Sequence, residues 1–197
     1  ATSCLSWISN IHKLKVNESI KKAESFFNKK EELILSPFFL PYLSGERTPH
    51  NNSYLRGSFH VINTSSSLES LLYSVIEGIS FGIKDGFDAV NNIDKNSKKI
   101  YLVGGGSKSQ FWGNLIATIL NKNIEIGKDS DFSPALGVAR LAMLATEKYN
   151  ESEVVKNMET LKECKPINQY SDILKKRYNK WKTIVNTNKL ISKKIIE

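Results

Sequence analysis

The sequence predicts an α/β layer fold, a small sheet with helices packed on it and two helices at each end of the chain. Three observations point there. Short apolar runs of β-forming residues alternate with stretches whose apolar residues recur every three or four positions. A glycine triplet, Gly104-Gly105-Gly106, stops one of these runs and is followed at once by a helical pattern. With 197 residues, 40% of them hydrophobic, the chain suffices for one domain with a sizeable core.

The elements follow in order. Leu5, Ile8, Ile11 and Leu14 place a helix over 3–15, and Ile20, Ala23, Phe26 and Phe27 a second over 17–30 with Asn17 as N-cap. Leu33 to Leu40 is apolar but broken by Pro37, so it reads as an edge or bent strand. A long polar loop, 41–52, leads to a strand over 57–62. Ser66 with Glu69 fits a capping box ahead of a helix whose stripe runs from Leu68 to Val90. Gly78 and Gly82 inside that helix cost roughly 1 kcal/mol each relative to alanine, so close packing of another element is expected there. Tyr101 to Val103 reads as a buried strand, Phe111 opens a helix, and Ile124 to Ile126 is a short strand. Ser133 as N-cap and Pro134 at the first helical position start a small-residue helix to Ala145. Weak helical patterning follows over 151–161, then a turn at Lys165-Pro166. A last helix over 169–186 has Tyr170, Ile173, Leu174, Tyr178, Trp181, Ile184 and Val185 on its stripe. Residues 187–197 form a basic C-terminal extension that continues the helix or frays. Four or five strands make a small sheet, and the abrupt start, Ala-Thr-Ser-Cys, is that expected of a fragment of a longer protein.

The net charge of +8 is uneven. Residues 174–197 hold eight Lys/Arg and one acid, a net of +7, which leaves 20 basic and 19 acidic residues, a net of +1, before them. This pattern fits the solvated face of a Lys-rich helix better than a nucleic-acid surface. No apolar run reaches the roughly 18 residues of a membrane span. Cys4 and Cys164 offer neither metal spacing nor a disulfide framework, so the expectation is a cytoplasmic protein without a metal site of its own.

Two nucleotide motifs nearly fit. A P-loop needs a glycine before its lysine, and Ser107-Lys108-Ser109 lacks it. A Rossmann fingerprint fails at its third glycine, although Glu125 stands about where a ribose-binding acid would, so an NAD-binding domain stays open as an alternative. Strand, glycines and helix together let backbone approach a phosphate or base; a tight turn that merely needs glycine is the simpler alternative. The loop carries Glu46, Arg47 and His50, either as binding residues or as a surface pair with a capping histidine. Neither His12 nor His60 is given a role.

Taken together, Phe39-Leu-Pro-Tyr-Leu-Ser-Gly-Glu-Arg-Thr-Pro-His-Asn-Asn52, Val75-Ile-Glu-Gly78, Leu102-Val-Gly-Gly-Gly-Ser-Lys-Ser109 with Trp112, and Asp131-Phe-Ser-Pro-Ala-Leu-Gly-Val-Ala-Arg-Leu-Ala142 resemble the C-terminal domain of FGGY-family sugar kinases. The resemblance covers 3–186, and it departs from the family's second signature at Val61-Ile62 and at Ser70. It implies an actin-like ATPase (ribonuclease H-like) domain, incomplete at its N-terminal side and spanning 1–186. It further implies ATP or ADP with Mg²⁺ and phosphoryl transfer to the terminal hydroxyl of a ketopentose, with kinases of another sugar or polyol, or a non-catalytic remnant, as alternatives. By that resemblance Gly104, Gly105, Gly106 and Ser107 lie against adenosine and phosphates, and Ser109, Gln110 and Asn114 line the adenine side. Pro134 and Gly137 border the pocket, Asp131 sits near its rim, and Glu46 and Arg47 face an interdomain cleft. The general-base Asp and most sugar ligands belong to a missing N-terminal domain, so no catalytic residue is expected in this chain and the isolated chain is expected to be inactive. Nucleotide, sugar and, in the open case of a homodimer, a second copy are the expected partners.

Overall fold

The computed structural model describes residues 2–91, 99–128, 130–146, 148–156 and 158–196. Seven helices are described, α1 (Thr2–Ile11), α2 (Val16–Phe27), α3 (Leu68–Asn91), α4 (Gln110–Leu120), α5 (Ser133–Ala145), α6 (Glu151–Val154) and α7 (Asn168–Ile196). The strands are β1 (Phe38–Leu40), β2 (Ser58–His60), β3 (Ile124–Gly127) and β4 (Thr160–Cys164). They form two antiparallel pairs, β1 with β2 and β3 with β4, the latter with a register shift between Ile126 and Gly127.

Helix α3 is the spine. Its Leu72, Tyr73, Val75, Ile76 and Phe81 are fully buried among α2, α4, β1 and α7. β1 lies directly on it at Gly78, where an added Cβ would stand 2.2 Å from the Phe39 carbonyl oxygen. Close packing therefore explains Gly78. It does not explain Gly82, whose Cβ would meet only Pro41 at an ordinary 3.5 Å. Of the expected stripe of α7, Tyr170, Leu174, Tyr178, Trp181 and Val185 are buried, and Ile173 and Ile184 are partly buried against the same core. Helix α4 is apolar nearly all round and is buried accordingly.

Several sequence expectations are corrected. The first helix stops at Ile11, before Lys13 in the left-handed region (φ 54°), and α2 spans Val16–Phe27 instead of 17–30. Its cap is Lys15, whose N–H donates to the Glu18 carboxylate at 2.8 Å, and not Asn17. The run from Leu33 begins as a 3-10 turn (Glu32–Leu35), and only the residues after Pro37 pair as a strand. Ser67, not Ser66, caps α3, accepting the Ser70 N–H at 3.2 Å; Ser66 Oγ takes the Asn63 N–H instead. Tyr101 to Val103 is no buried strand. It makes one parallel bridge, Tyr101 opposite Glu125, and Val103 is exposed. Ser133 lies inside α5 with Phe132 as its cap, and its hydroxyl donates to the Ser130 carbonyl at 3.0 Å. Among its described residues the segment 151–161 holds the one-turn α6, and β4 begins within it at Thr160, a strand that the pattern had hidden because four of its five residues are exposed. α7 passes unbroken through 187 to Ile196.

Candidate functional site: the glycine loop and the loop 41–52

The glycine triplet makes a left-handed entry into a 3-10 turn. Gly104 has φ 86° and ψ −178°, a conformation that only glycine adopts without strain, and Gly105–Lys108 form the turn. A Cβ at Gly104 or Gly105 would meet nothing within 4 Å, whereas one at Gly106 would press on the Trp112 ring at 3.3 Å. Trp112 is held in place by its indole N–H donating to Ser80 Oγ on α3 at 3.0 Å. Ser109 caps α4, accepting the Trp112 backbone N–H at 3.2 Å. The loop thus rests on a fixed floor and opens outward.

It opens into a cavity of about 640 Å³ between the turn and the first two helices. Gly105, Gly106, Ser109 and Gln110 line one side; Leu5, Asn17, Ile20, Lys21 and Glu24 line the other. Four of the sequence-predicted residues are therefore brought together there. Ser107 is not in this wall: it is buried, donates to the Gly104 carbonyl at 2.7 Å and meets Ser130 Oγ at 3.0 Å, stitching the loop to the turn ahead of α5. It lines a second cavity of about 400 Å³ with Ile126, Ser130, Phe132 and Leu161. Asn114 reaches the first site only through Gln110, whose amide donates to its Oδ1 at 3.0 Å. Pro134 and Gly137 stand on α5 and line neither cavity; the Asp131 side chain lies outside the described residues. The contributions of α2 were missed, because nothing local in 16–27 marks a polar residue that faces a loop some ninety positions later.

Glu125 does not present a free acid to a ribose. It pairs with Lys99 at 3.0 Å and accepts the Thr160 hydroxyl, and these bonds, that of Thr160 foremost, lower its pKa. Its strand pairs antiparallel with β4, which is not the doubly wound parallel sheet of a dinucleotide fold.

The loop 41–52 is a closed turn. Glu46 and Asn52 exchange backbone hydrogen bonds at 3.0 and 2.7 Å, and the Glu46 carboxylate accepts the His50 N–H at 2.8 Å. Gly45 (φ 80°) lets it pass Ser53, whose backbone would lie 3.0 Å from a Cβ. Glu46 and Arg47 line a separate cavity of about 380 Å³ against Ile79, Gly82 and Ile83 of α3. Neither reading of His50 anticipated its partner. Its Nε2 lies 2.9 Å from Asp85 Oδ2 of α3, with both side chains nearly buried. Tyr178 of α7 donates to the same Asp85 at 3.3 Å, so loop, α3 and α7 meet at one carboxylate.

Burial lowers the His50 pKa, and the Lys189 charge adds to this; Asp85 and Glu46 pull it back without cancelling the shift. The ring is then neutral at pH 7 and donates its Nε2 proton to Asp85. Burial lowers the His60 pKa as well. Below the ordinary histidine value of 6.5 the unfolded chain takes up protons before the folded one does, so stability present above pH 6.5 is lost as pH falls through the folded values. Melting temperature measured from pH 7.5 to 5 is expected to fall, and to fall less in His50→Gln; an unchanged slope in the variant would remove His50 from this account.

Among the described residues no group of three or more His, Cys, Asp or Glu is placed to hold a metal ion, and no helix is long and apolar enough to cross a membrane. The sequence profile of the FGGY family of carbohydrate kinases, C-terminal domain, matches residues 1–146. The xylulose kinase of Escherichia coli (strain K12) is 34% identical over 145 residues, 74% of this chain and 29% of that protein. A solved xyloylose kinase from Brucella ovis superposes with a TM-score of 0.78 at 30% identity, covering 95% of this chain and 38% of that one. A gluconate kinase from Lactobacillus acidophilus gives 0.76 at 25% identity, covering 99% of this chain and 39% of its own. The chain thus spans between 29% and 39% of the length of these relatives.

Proposed function

Because the chain belongs to the FGGY family of carbohydrate kinases, as a C-terminal domain of actin-like ATPase fold, we propose that it forms the nucleotide-holding wall of an ATP-dependent kinase that converts D-xylulose to D-xylulose 5-phosphate. The observation that carries the reading is the cavity in front of Gly105: backbone without a side chain, open space beyond it, and the capped N-terminus of α4 beside it. That combination suits adenosine and its phosphates, since unpaired N–H groups at a helix start and the helix dipole favour negative charge. Gly104 to Gly106 admit the nucleotide closely. Ser109 and Gln110 face its base, with Asn114 orienting Gln110. Ser107 keeps the loop in register, while Pro134 and Gly137, which line neither cavity, are given no contact with the nucleotide. Glu46 and Arg47 lie at the cleft that closes over the sugar. Catalysis of phosphoryl transfer is positioning and electrostatic stabilisation, with Mg²⁺ carried on the phosphates and an Asp from outside these residues taking the hydroxyl proton. This chain alone is therefore expected to bind nucleotide without phosphorylating xylulose.

Calorimetric titration tests the first half. ADP is expected to bind and to raise the melting temperature, and NAD to do neither. Gly105→Val is expected to weaken ADP binding by about tenfold or more, roughly 1.4 kcal/mol, while keeping the fold, because its Cβ meets nothing within 4 Å. Tighter binding of NAD than of ADP, or no binding of ADP, would refute the reading. The likeness to a gluconate kinase favours a second reading in which the sugar differs. Phosphorylation assays of the complete kinase with D-xylulose, D-gluconate and glycerol separate the two.

A further inference from the structure

The loop 41–52 is fastened to α3 at its two ends by different means. It runs along three glycines of that helix, Gly78, Gly82 and Gly86, which are four apart and share a side. The near end is held by packing. An added Cβ at Gly78 would stand 2.2 Å from the Phe39 carbonyl oxygen, which also accepts the Trp181 indole N–H at 2.9 Å. Further along the helix the clearance grows. The nearest atom to such a Cβ is a Pro41 ring carbon at 3.5 Å for Gly82 and the Thr48 carbonyl oxygen at 3.9 Å for Gly86. There the loop stands off the helix, over the cavity of about 380 Å³ that Glu46 and Arg47 share with Ile79 and Ile83. The far end is held by polar bonds instead. His50 Nε2 lies 2.9 Å from Asp85 Oδ2, the two side chains being only 11% and 13% exposed. Tyr178 donates to Asp85 Oδ1 at 3.3 Å from α7, which fixes the acceptor, and the Tyr42 ring packs edge-on against the imidazole at 6.0 Å.

The two adjacent charges on the loop are not equivalent. The Glu46 carboxylate is engaged, accepting the His50 backbone N–H at 2.8 Å. Arg47 is exposed at the cavity and, among the described residues, makes no hydrogen bond or ion pair. We propose that His50 and Asp85 are positioning residues for the sugar side of the reaction: they latch the far end of the loop, hold Glu46 back and leave the Arg47 guanidinium turned to the sugar. This rests on the kinase reading above. A guanidinium has five N–H donors and no acceptor, so it suits the hydroxyl and carbonyl oxygens of a ketose. After transfer it also suits a phosphate monoester, which arginine binds through two parallel bonds. Without the latch the loop is held at the Gly78 end alone. A displacement of about 1 Å at a positioning group costs up to about a hundredfold in rate.

Two measurements test this. In the present chain, Asp85→Ala is expected to speed backbone hydrogen exchange over 44–52 about tenfold or more and to leave 38–40 near the parent rate. Asp85→Asn, whose amide oxygen still accepts from Nε2, is expected to recover most of the protection. In the complete kinase, Arg47→Ala and Asp85→Ala are each expected to raise the KM for D-xylulose about tenfold or more. The KM for ATP is expected to stay within about twofold, since the nucleotide lies at the other site. Combining the two is expected to lose no more than Arg47→Ala alone, because Asp85 acts through Arg47. Arg47 is exposed, so its variant keeps the fold whatever becomes of Asp85→Ala. An unchanged xylulose KM in Arg47→Ala would overturn the proposal. So would losses of the two variants that add in full, or exchange over 44–52 that Asp85→Ala leaves unmoved. A parent kinase inactive on D-xylulose, D-gluconate and glycerol refutes the kinase reading, and with it the sugar role of Arg47, while the exchange result still decides the latch.

Discussion

Replacing Arg177 by methionine is expected to lower stability by about 3–5 kcal/mol, a large share of the 5–15 kcal/mol typical of a whole domain. Arg177 is buried on α7 and spends its guanidinium fully. Nε and Nη2 donate to the two oxygens of Glu77 on α3, both at 2.6 Å, while Nη1 reaches the Leu33 and Ser36 carbonyls and Nη2 the Pro37 carbonyl. Tyr73 adds its hydroxyl to Glu77 at 3.0 Å, and the Phe38 ring lies 4.3 Å from the guanidinium carbon. One fork thus ties α7, α3 and the entry to β1 together. With methionine at 177 the Glu77 carboxylate remains buried without its cation, and three carbonyls lose their donor. Desolvation of those groups, more than the lost attraction, is the source of the penalty. Adding Glu77→Leu to Arg177→Met is expected to recover part of the loss by removing the stranded charge, and not all of it, because the Ser36 and Pro37 carbonyls still lack the donor that Arg177 supplied. Urea unfolding of the two variants checks this. A single-variant loss below about 1 kcal/mol, the range of an exposed ion pair, would contradict the account.

Trp181→Ala is expected to cost about 3–5 kcal/mol through the cavity it leaves. The indole is fully buried, packs with Tyr42, Phe81 and Tyr178 at centroid distances of 6.3, 5.8 and 6.0 Å, and donates to the Phe39 carbonyl at 2.9 Å. Trp181→Phe keeps most of the buried surface and loses that hydrogen bond, so its expected cost is nearer 1 kcal/mol. Because Tyr42 opens the loop 41–52, hydrogen exchange in that loop is expected to rise in the alanine variant and to stay near the parent rate in the phenylalanine variant. Equal unfolding midpoints for the alanine variant and the parent would show that the aromatic cluster does not hold α7 in place.

Much of the molecule is legible where the governing interaction is local. The stripes of α3 and α7 follow from helical periodicity, since residues three and four apart share a face whatever surrounds the helix. Gly104 follows from backbone sterics, and the open turn before α4 is where the strand–glycine–helix pattern puts it. The caps were less legible. Ser66 and Ser67 are chemically equivalent, and only the path of the preceding turn decided which hydroxyl reached the Ser70 N–H. β4 was hidden for a related reason, as a strand exposed along four of its five residues leaves little alternation to read.

The sequence by itself therefore determined the long helices, the glycine turn, the presence of a polar loop over 41–52 and, through the Gly45-Glu46-Arg47-Thr48-Pro49 stretch and its companions, the family. Only the tertiary structure decided which distant residues meet. Glu77 and Arg177 stand a hundred positions apart, His50 meets an aspartate on α3, and α2 supplies the far wall of the cavity in front of Gly105. No local pattern encodes such pairs, because each depends on how separate helices are laid against one another. The same distinction applies to α5: its small apolar residues mark a helix, and the structure adds that none of its residues is buried.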